Sequence, residues 1–203
     1  VDDHSIAATV GDEALLIGER TGCDVAVASD RVAAVRLLEQ RGARVVIADP
    51  ELTLSLPRDL TAWTGMDALS HNLEAYCAPG YHPLAEGIAV EGMRLVKDYL
   101  PRAVANGGDL EARTHMLIAS SMGATAFQKG LGGMHALSHP VGAVYDTHHG
   151  MTNATFMPYV LQFNRPAIEE RITRLAAYMG LPTPGFDSFL AFVLKMREDI
   201  GVP

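Results

Sequence analysis

Basic charge is scarce in this chain: 16 Lys and Arg stand against 24 Asp and Glu, for a formal net charge of −8. A net-acidic surface repels nucleic acid and anionic membranes, and no basic run interleaved with aromatics offsets it. Long apolar runs are missing too; none approaches the roughly 20 residues that span a bilayer. The opening "VDDHSIAATV" has neither the basic start nor the apolar stretch of a signal peptide. Cysteine is limited to Cys23 and Cys77, with no CxxC and no disulfide framework. These absences together predict an acidic, soluble, cytoplasmic protein with no nucleic-acid or membrane partner.

The first fifty residues and the rest differ in texture. Asp12 to Thr21 has helical spacing, "CDVAVAS" is a strand-type run, Arg31 to Arg41 is again helical, and "ARVVIADP" is a buried-strand run ended by Pro50. Helix, strand, helix, strand is a fragment of a parallel α/β layer. After Pro50 no strand pattern remains. "ELTLSLPRDL" reads as a turn-rich connector, followed by helices over Met66 to Tyr76 and His82 to Tyr99. The second of these has Leu84, Ile88, Met93 and Val96 inward and Pro101 just past its end. Asp109 is placed to cap a helix running to about Lys129. Helices over Met134 to Tyr145, Met151 to Phe163, Pro166 to Met179 and Asp187 to Ile200 complete the pattern. The predicted fold is mainly α: a short α/β segment over residues 1–50, then a multi-helix domain over 51–203.

Four of the eight histidines fall within "GGMHALSHPVGAVYDTHHG". His135 and His139 are four apart on one helix face, and His148 and His149 follow in a polar turn ending in Gly150. Upstream, "GMDALSHNLEAY" puts Asp67 and His71 on one helical turn, able to grip a single divalent cation. Taken alone, that pair more often forms a solvated surface contact. Glu74, seven residues beyond Asp67, can orient such a site or be an ordinary surface carboxylate. The combination carries more weight than any single residue. Three imidazoles and one carboxylate suit iron, zinc or manganese, and the lack of nearby thiolates argues against a structural zinc site.

The segments "DPELTLSLPRDLTAWTGMDALSHNLEAY" and "KGLGGMHALSHPVGAVYDTHHGMTNA" resemble the metal-binding half of the iron-containing alcohol dehydrogenases, a likeness covering about residues 49–203. By that resemblance Asp67 and His71 of the "DALSH"-type turn, His135 of "HALSHP" and His149 of "THHG" are the metal ligands. His139 matches a residue beside the metal and nicotinamide that is tied to proton transfer. His148 matches a position without a general ligand role. The resemblance implies Fe2+, with Zn2+ or Mn2+ as alternatives, NAD(P) as hydride acceptor and a small alcohol or aldehyde as substrate. The metal would act as a Lewis acid on the alcohol oxygen.

The family's "GGGS"-type pyrophosphate turn and "TTxGTGSE"-type segment do not occur in this sequence, and the chain stops at "REDIGVP" where family members continue. Residues 1–49 instead resemble part of the tetraacyldisaccharide 4′-kinase of lipid A synthesis, without its GxxxxGK[ST] phosphate loop. The join near Asp49 and Pro50 reads as a fusion. Three functions follow: an alcohol dehydrogenase, a metal-binding helical module without turnover, or a metal-dependent hydrolase or oxidase. Apolar surface left by a missing cofactor domain predicts a homo-oligomer.

Overall fold

Helix α1, Arg58–Cys77, has buried residues on every side, including Met66, Leu69, Asn72, Leu73 and Tyr76. A helix buried around most of its circumference belongs at the centre of a bundle, and α1 packs against α2 (Pro83–Ala105), α3 (Leu110–Ala126) and α5 (His149–Tyr178). Helix α4 (Gly133–Tyr145) and helix α6 (Phe186–Ile200) both lie on α5. The computed structural model describes residues 49–203, and those from Thr53 onward form one unit. The described residues are helical and contain no strand, so the multi-helix architecture is as expected. The predicted α/β segment lies outside the described residues, apart from its last two. Among the described residues no helix is long and apolar enough to cross a membrane.

Several local rules yield to tertiary packing. Helix α1 begins at Arg58, within the stretch expected to be a connector, because Thr61 and Ala62 are already buried and continue the core face upstream of Met66. Helix α2 continues through Pro101 to Ala105 rather than stopping before it. Proline removes one hydrogen bond there, but the extra turn buries Ala103 and Val104. Leu84 is 76% exposed, not inward. Its helix starts at Pro83, capped by His82 Nδ1, which accepts from the Ala85 N–H at 3.2 Å. Nine residues from Met93, Leu84 faces the opposite side of the helix; Met93 and Val96 are inward as expected, in a stripe with Ala85, Ala89 and Leu100. The two helices expected on either side of Asn164 and Arg165 are one, α5, which carries both Pro158 and Pro166 in its interior. The stripe of Met157, Leu161, Ile168, Ile172 and Leu175 holds it continuous against the core. Asp109 caps α3 as predicted, accepting from the Ala112 N–H at 3.0 Å.

Arg113 anchors the outer end of α1. It is 4% exposed, and its guanidinium donates to the carbonyls of Gly107 and Leu56 and to Thr61 Oγ1, at 3.0, 3.2 and 2.8 Å. Burial lowers its pKa, and the fixed fork of donors offsets burial with hydrogen bonds. Arg113→Met keeps the aliphatic stem but takes the donors away from buried Thr61 Oγ1 and from two partly buried carbonyls. We expect a loss of about 3 kcal/mol, read as a lower urea midpoint with an unchanged slope. An unchanged midpoint would show that these hydrogen bonds do not hold α1.

Candidate metal centre

Helical periodicity puts Asp67, His71 and Glu74 on one face of α1, at i, i+4 and i+7. Gly132 and Gly133 open α4, which presents His135 on its first turn, and His149 begins α5. Close helix approach makes this convergence possible. A Cβ on Gly123 of α3 would stand 2.8 Å from His71 Cβ, and one on Gly150 would stand 2.3 Å from the Trp63 carbonyl oxygen of α1.

The result is a cluster of four donors. One ligand atom each from Asp67, His71, His135 and His149 lies within 4.8 Å of the others. His71 Nε2 is 3.5 Å from Asp67 Oδ2, and His149 Nε2 and His135 Nε2 are 3.6 and 4.0 Å from Asp67 Oδ1. Burial lowers the pKa of His71; Asp67 opposes this and the positive forms of His135 and His149 reinforce it. His149 is lowered in the same way, by burial first. Both are therefore neutral at pH 7, the form in which imidazole binds a metal.

Glu74 is buried and tied to the cluster. His135 Nδ1–H donates to Glu74 Oε2 at 2.6 Å, and the Met134 N–H donates to Oε1 at 2.6 Å. Burial pushes the carboxyl up, but these bonds and the Gly132 N–H outweigh it and hold the group below its usual range. The ionised carboxylate keeps the His135 proton on Nδ1 and leaves the Nε2 lone pair facing the other donors. Of the two readings left open by the sequence, Glu74 takes the orienting one.

His139 stands outside the four. It is exposed on α4, and its ring lies 5.3 Å from that of His149 and 5.8 Å from that of His135. His148 is the N-cap of α5; its Nδ1 accepts from the Met151 N–H at 3.5 Å, and its ring lies 4.9 Å from Trp63. Cys77 has its thiol pKa pushed up to about 12 by burial, so it offers no thiolate. A cavity of about 420 Å³ shares Glu74, Gly132 and Met134 with this region but is lined by none of the four donors.

Asn153 was not anticipated from sequence. It is fully buried, and its Nδ2 lies 2.8 Å from Asp67 Oδ1 and 3.1 and 3.0 Å from Nε2 of His135 and His149. The available signal was its spacing: Asn153 follows His149 by four residues in "HGMTN" and therefore shares its helix face.

Fold and donors together define a helical domain whose mixed nitrogen and oxygen cluster matches the chemistry of a mid-series divalent ion. Sequence comparison names the family: residues 61–198 match the C-terminal part of the Fe-containing alcohol dehydrogenases, and the chain belongs to that family. Residues 1–62 match tetraacyldisaccharide-1-P 4′-kinase. The 4-hydroxybutyrate dehydrogenase of Cupriavidus necator is 47% identical over 166 residues, which cover 77% of this chain and 43% of the relative. The NAD-dependent methanol dehydrogenase of Bacillus methanolicus is 42% identical over 166 residues, covering 78% and 44%. The crystal structure of a 1,3-propanediol oxidoreductase superposes with a TM-score of 0.74 at 37% identity, covering 76% of this chain and 42% of that one. The chain thus spans less than half the length of these relatives.

Proposed function

We propose that residues 51–203 form the metal-binding catalytic half of an iron-dependent, NAD(P)-linked alcohol dehydrogenase that interconverts a small alcohol and its aldehyde or ketone. The observation that carries this reading is the convergence of Asp67, His71, His135 and His149 within 4.8 Å of one another. The donor set fits a divalent ion: neutral imidazoles and one carboxylate, with the His135 tautomer fixed by a buried acid. These four residues would hold Fe2+, and the same donors accept Zn2+ or Mn2+. When bound, the ion supplies Lewis acidity to the substrate oxygen.

The chain's own residues do the rest. Glu74 keeps the His135 Nε2 lone pair directed at the site, and the Phe127 ring packs 4.4 Å from that of His71. His139, exposed beside His149, takes the hydroxyl proton on an imidazole nitrogen and releases it to solvent. On this reading the surface that seats the dinucleotide belongs to the part of the fold outside residues 61–198. We place the protein in the cytoplasm. We also assign it a homo-oligomeric state, in which exposed Tyr159 and Phe163, one turn apart on α5, are covered by another copy.

The test is a fluorescence titration of NADH into anaerobically iron-loaded protein, with metal content measured on the same sample. One ion per chain is expected, and saturable micromolar NADH binding would mean that the chain seats the cofactor itself. One ion per chain with no NADH binding would reduce the chain to a metal module, and no ion would remove the dehydrogenase reading.

A further inference from the structure

Three of the four candidate donors converge on one buried amide. Asn153 Nδ2 contacts Asp67, His149 and His135 at 2.8, 3.0 and 3.1 Å, and His71 is not among its hydrogen-bond partners. An amide nitrogen carries two hydrogens, so it cannot serve three acceptors equally. Its own Oδ1 is buried and has no hydrogen-bond partner among the described residues. Turning the amide over would bring that oxygen against a carboxylate oxygen and two imidazole lone pairs, which is worse. The orientation is therefore dictated by the electron-rich cluster.

We propose that Asn153 is a positioning residue of the metal centre. Its amide donates to Asp67 Oδ1, which has lone pairs to spare for a cation, and covers the buried face made by Asp67, His135 and His149, closing it to water or an additional ligand. The single Nε2 lone pair of each imidazole would pass from the amide to the metal. This rests on the ligand assignment proposed above. With the inner face closed, an incoming oxygen is left the side of His71 and His149, whose side chains are 21% and 40% exposed. That is also the side where exposed His139 stands beside His149. Asn153 would thus select the approach that brings the substrate hydroxyl to the proton-accepting ring.

Cobalt reports on both roles, since its visible absorption falls in intensity as coordination number rises above four. The full chain is loaded with Co2+, its spectrum recorded, and its release to a chelator timed. Asn153→Leu keeps the branched heavy-atom skeleton and removes the donor; Asn153→Ala also opens the face. The leucine variant is expected to keep an intense spectrum but to release cobalt about tenfold faster. The alanine variant is expected to release faster still and to lose band intensity as water enters. Wild-type spectra and release rates in both folded variants would reduce Asn153 to packing and overturn the proposal. A wild-type chain that takes up no cobalt would instead remove the ligand assignment, and the proposal with it.

Discussion

Alanine in place of His135 or His149 is expected to abolish stoichiometric metal uptake, while alanine in place of His148 leaves it at the wild-type level. The three sites are close in sequence and differ in what their rings touch. His135 is 3% exposed, and its Nε2 faces Asp67 and Asn153 while Nδ1–H is fixed by Glu74. Its removal deletes a donor and leaves the Glu74 carboxylate buried without its ring partner. His149 is more open, with 40% of its side chain exposed, but its Nε2 is 3.6 Å from Asp67. Loss of either leaves three donors, one of them an anion no longer matched by a full coordination shell. His148 spends its Nδ1 on the first turn of α5, so its replacement costs a helix cap of about 1 kcal/mol and no ligand. Metal per chain after gel filtration, measured by plasma mass spectrometry, separates these cases. Equal metal in all three variants would end the ligand assignment.

The cluster was legible in the sequence because its information is local. Asp67–His71 and His135–His139 repeat at one helical turn, and glycines mark where α4 and α5 begin. Motifs then tied the separate turns together, which periodicity alone could not have done. Positions whose role depends on a distant neighbour were not legible. Asn153 reads as an ordinary polar residue until α1 and α4 are brought against α5. Leu84 is a different case: nine residues before Met93 puts it on the opposite side of a 3.6-residue helix, so the periodicity itself sends it to solvent. Prolines 101, 158 and 166 carry a true local cost, but each lies in a helix whose neighbouring turns are buried. Burial of several apolar side chains outweighs one missing hydrogen bond.

Gly150→Ala is expected to destabilise the fold and weaken metal binding together, although alanine is the better helix former. The Cβ it adds would sit 2.3 Å from the Trp63 carbonyl oxygen, 2.9 Å from its carbon and 3.0 Å from Asp67 Cβ. Two of these obstacles are backbone of α1, which has no rotamer to change, so α1 and α5 must separate. Overpacking of this kind costs about 3 kcal/mol, against a helix-propensity gain of about 1 kcal/mol, for a net loss near 2 kcal/mol. The same separation pulls His149 away from Asp67, because Gly150 is its neighbour on α5. Gly87→Ala is the matched control. Gly87 lies within α2 with nothing inside 4 Å of the added carbon, so only the propensity gain operates and stability should rise by about 1 kcal/mol. Thermal unfolding and metal content of both variants decide the matter. Opposite shifts, with metal lost only from Gly150→Ala, mean that the approach of α5 to α1 sets the donor geometry. Stabilisation in both would mean that the helices can move apart without consequence and that the ligands do not depend on their contact.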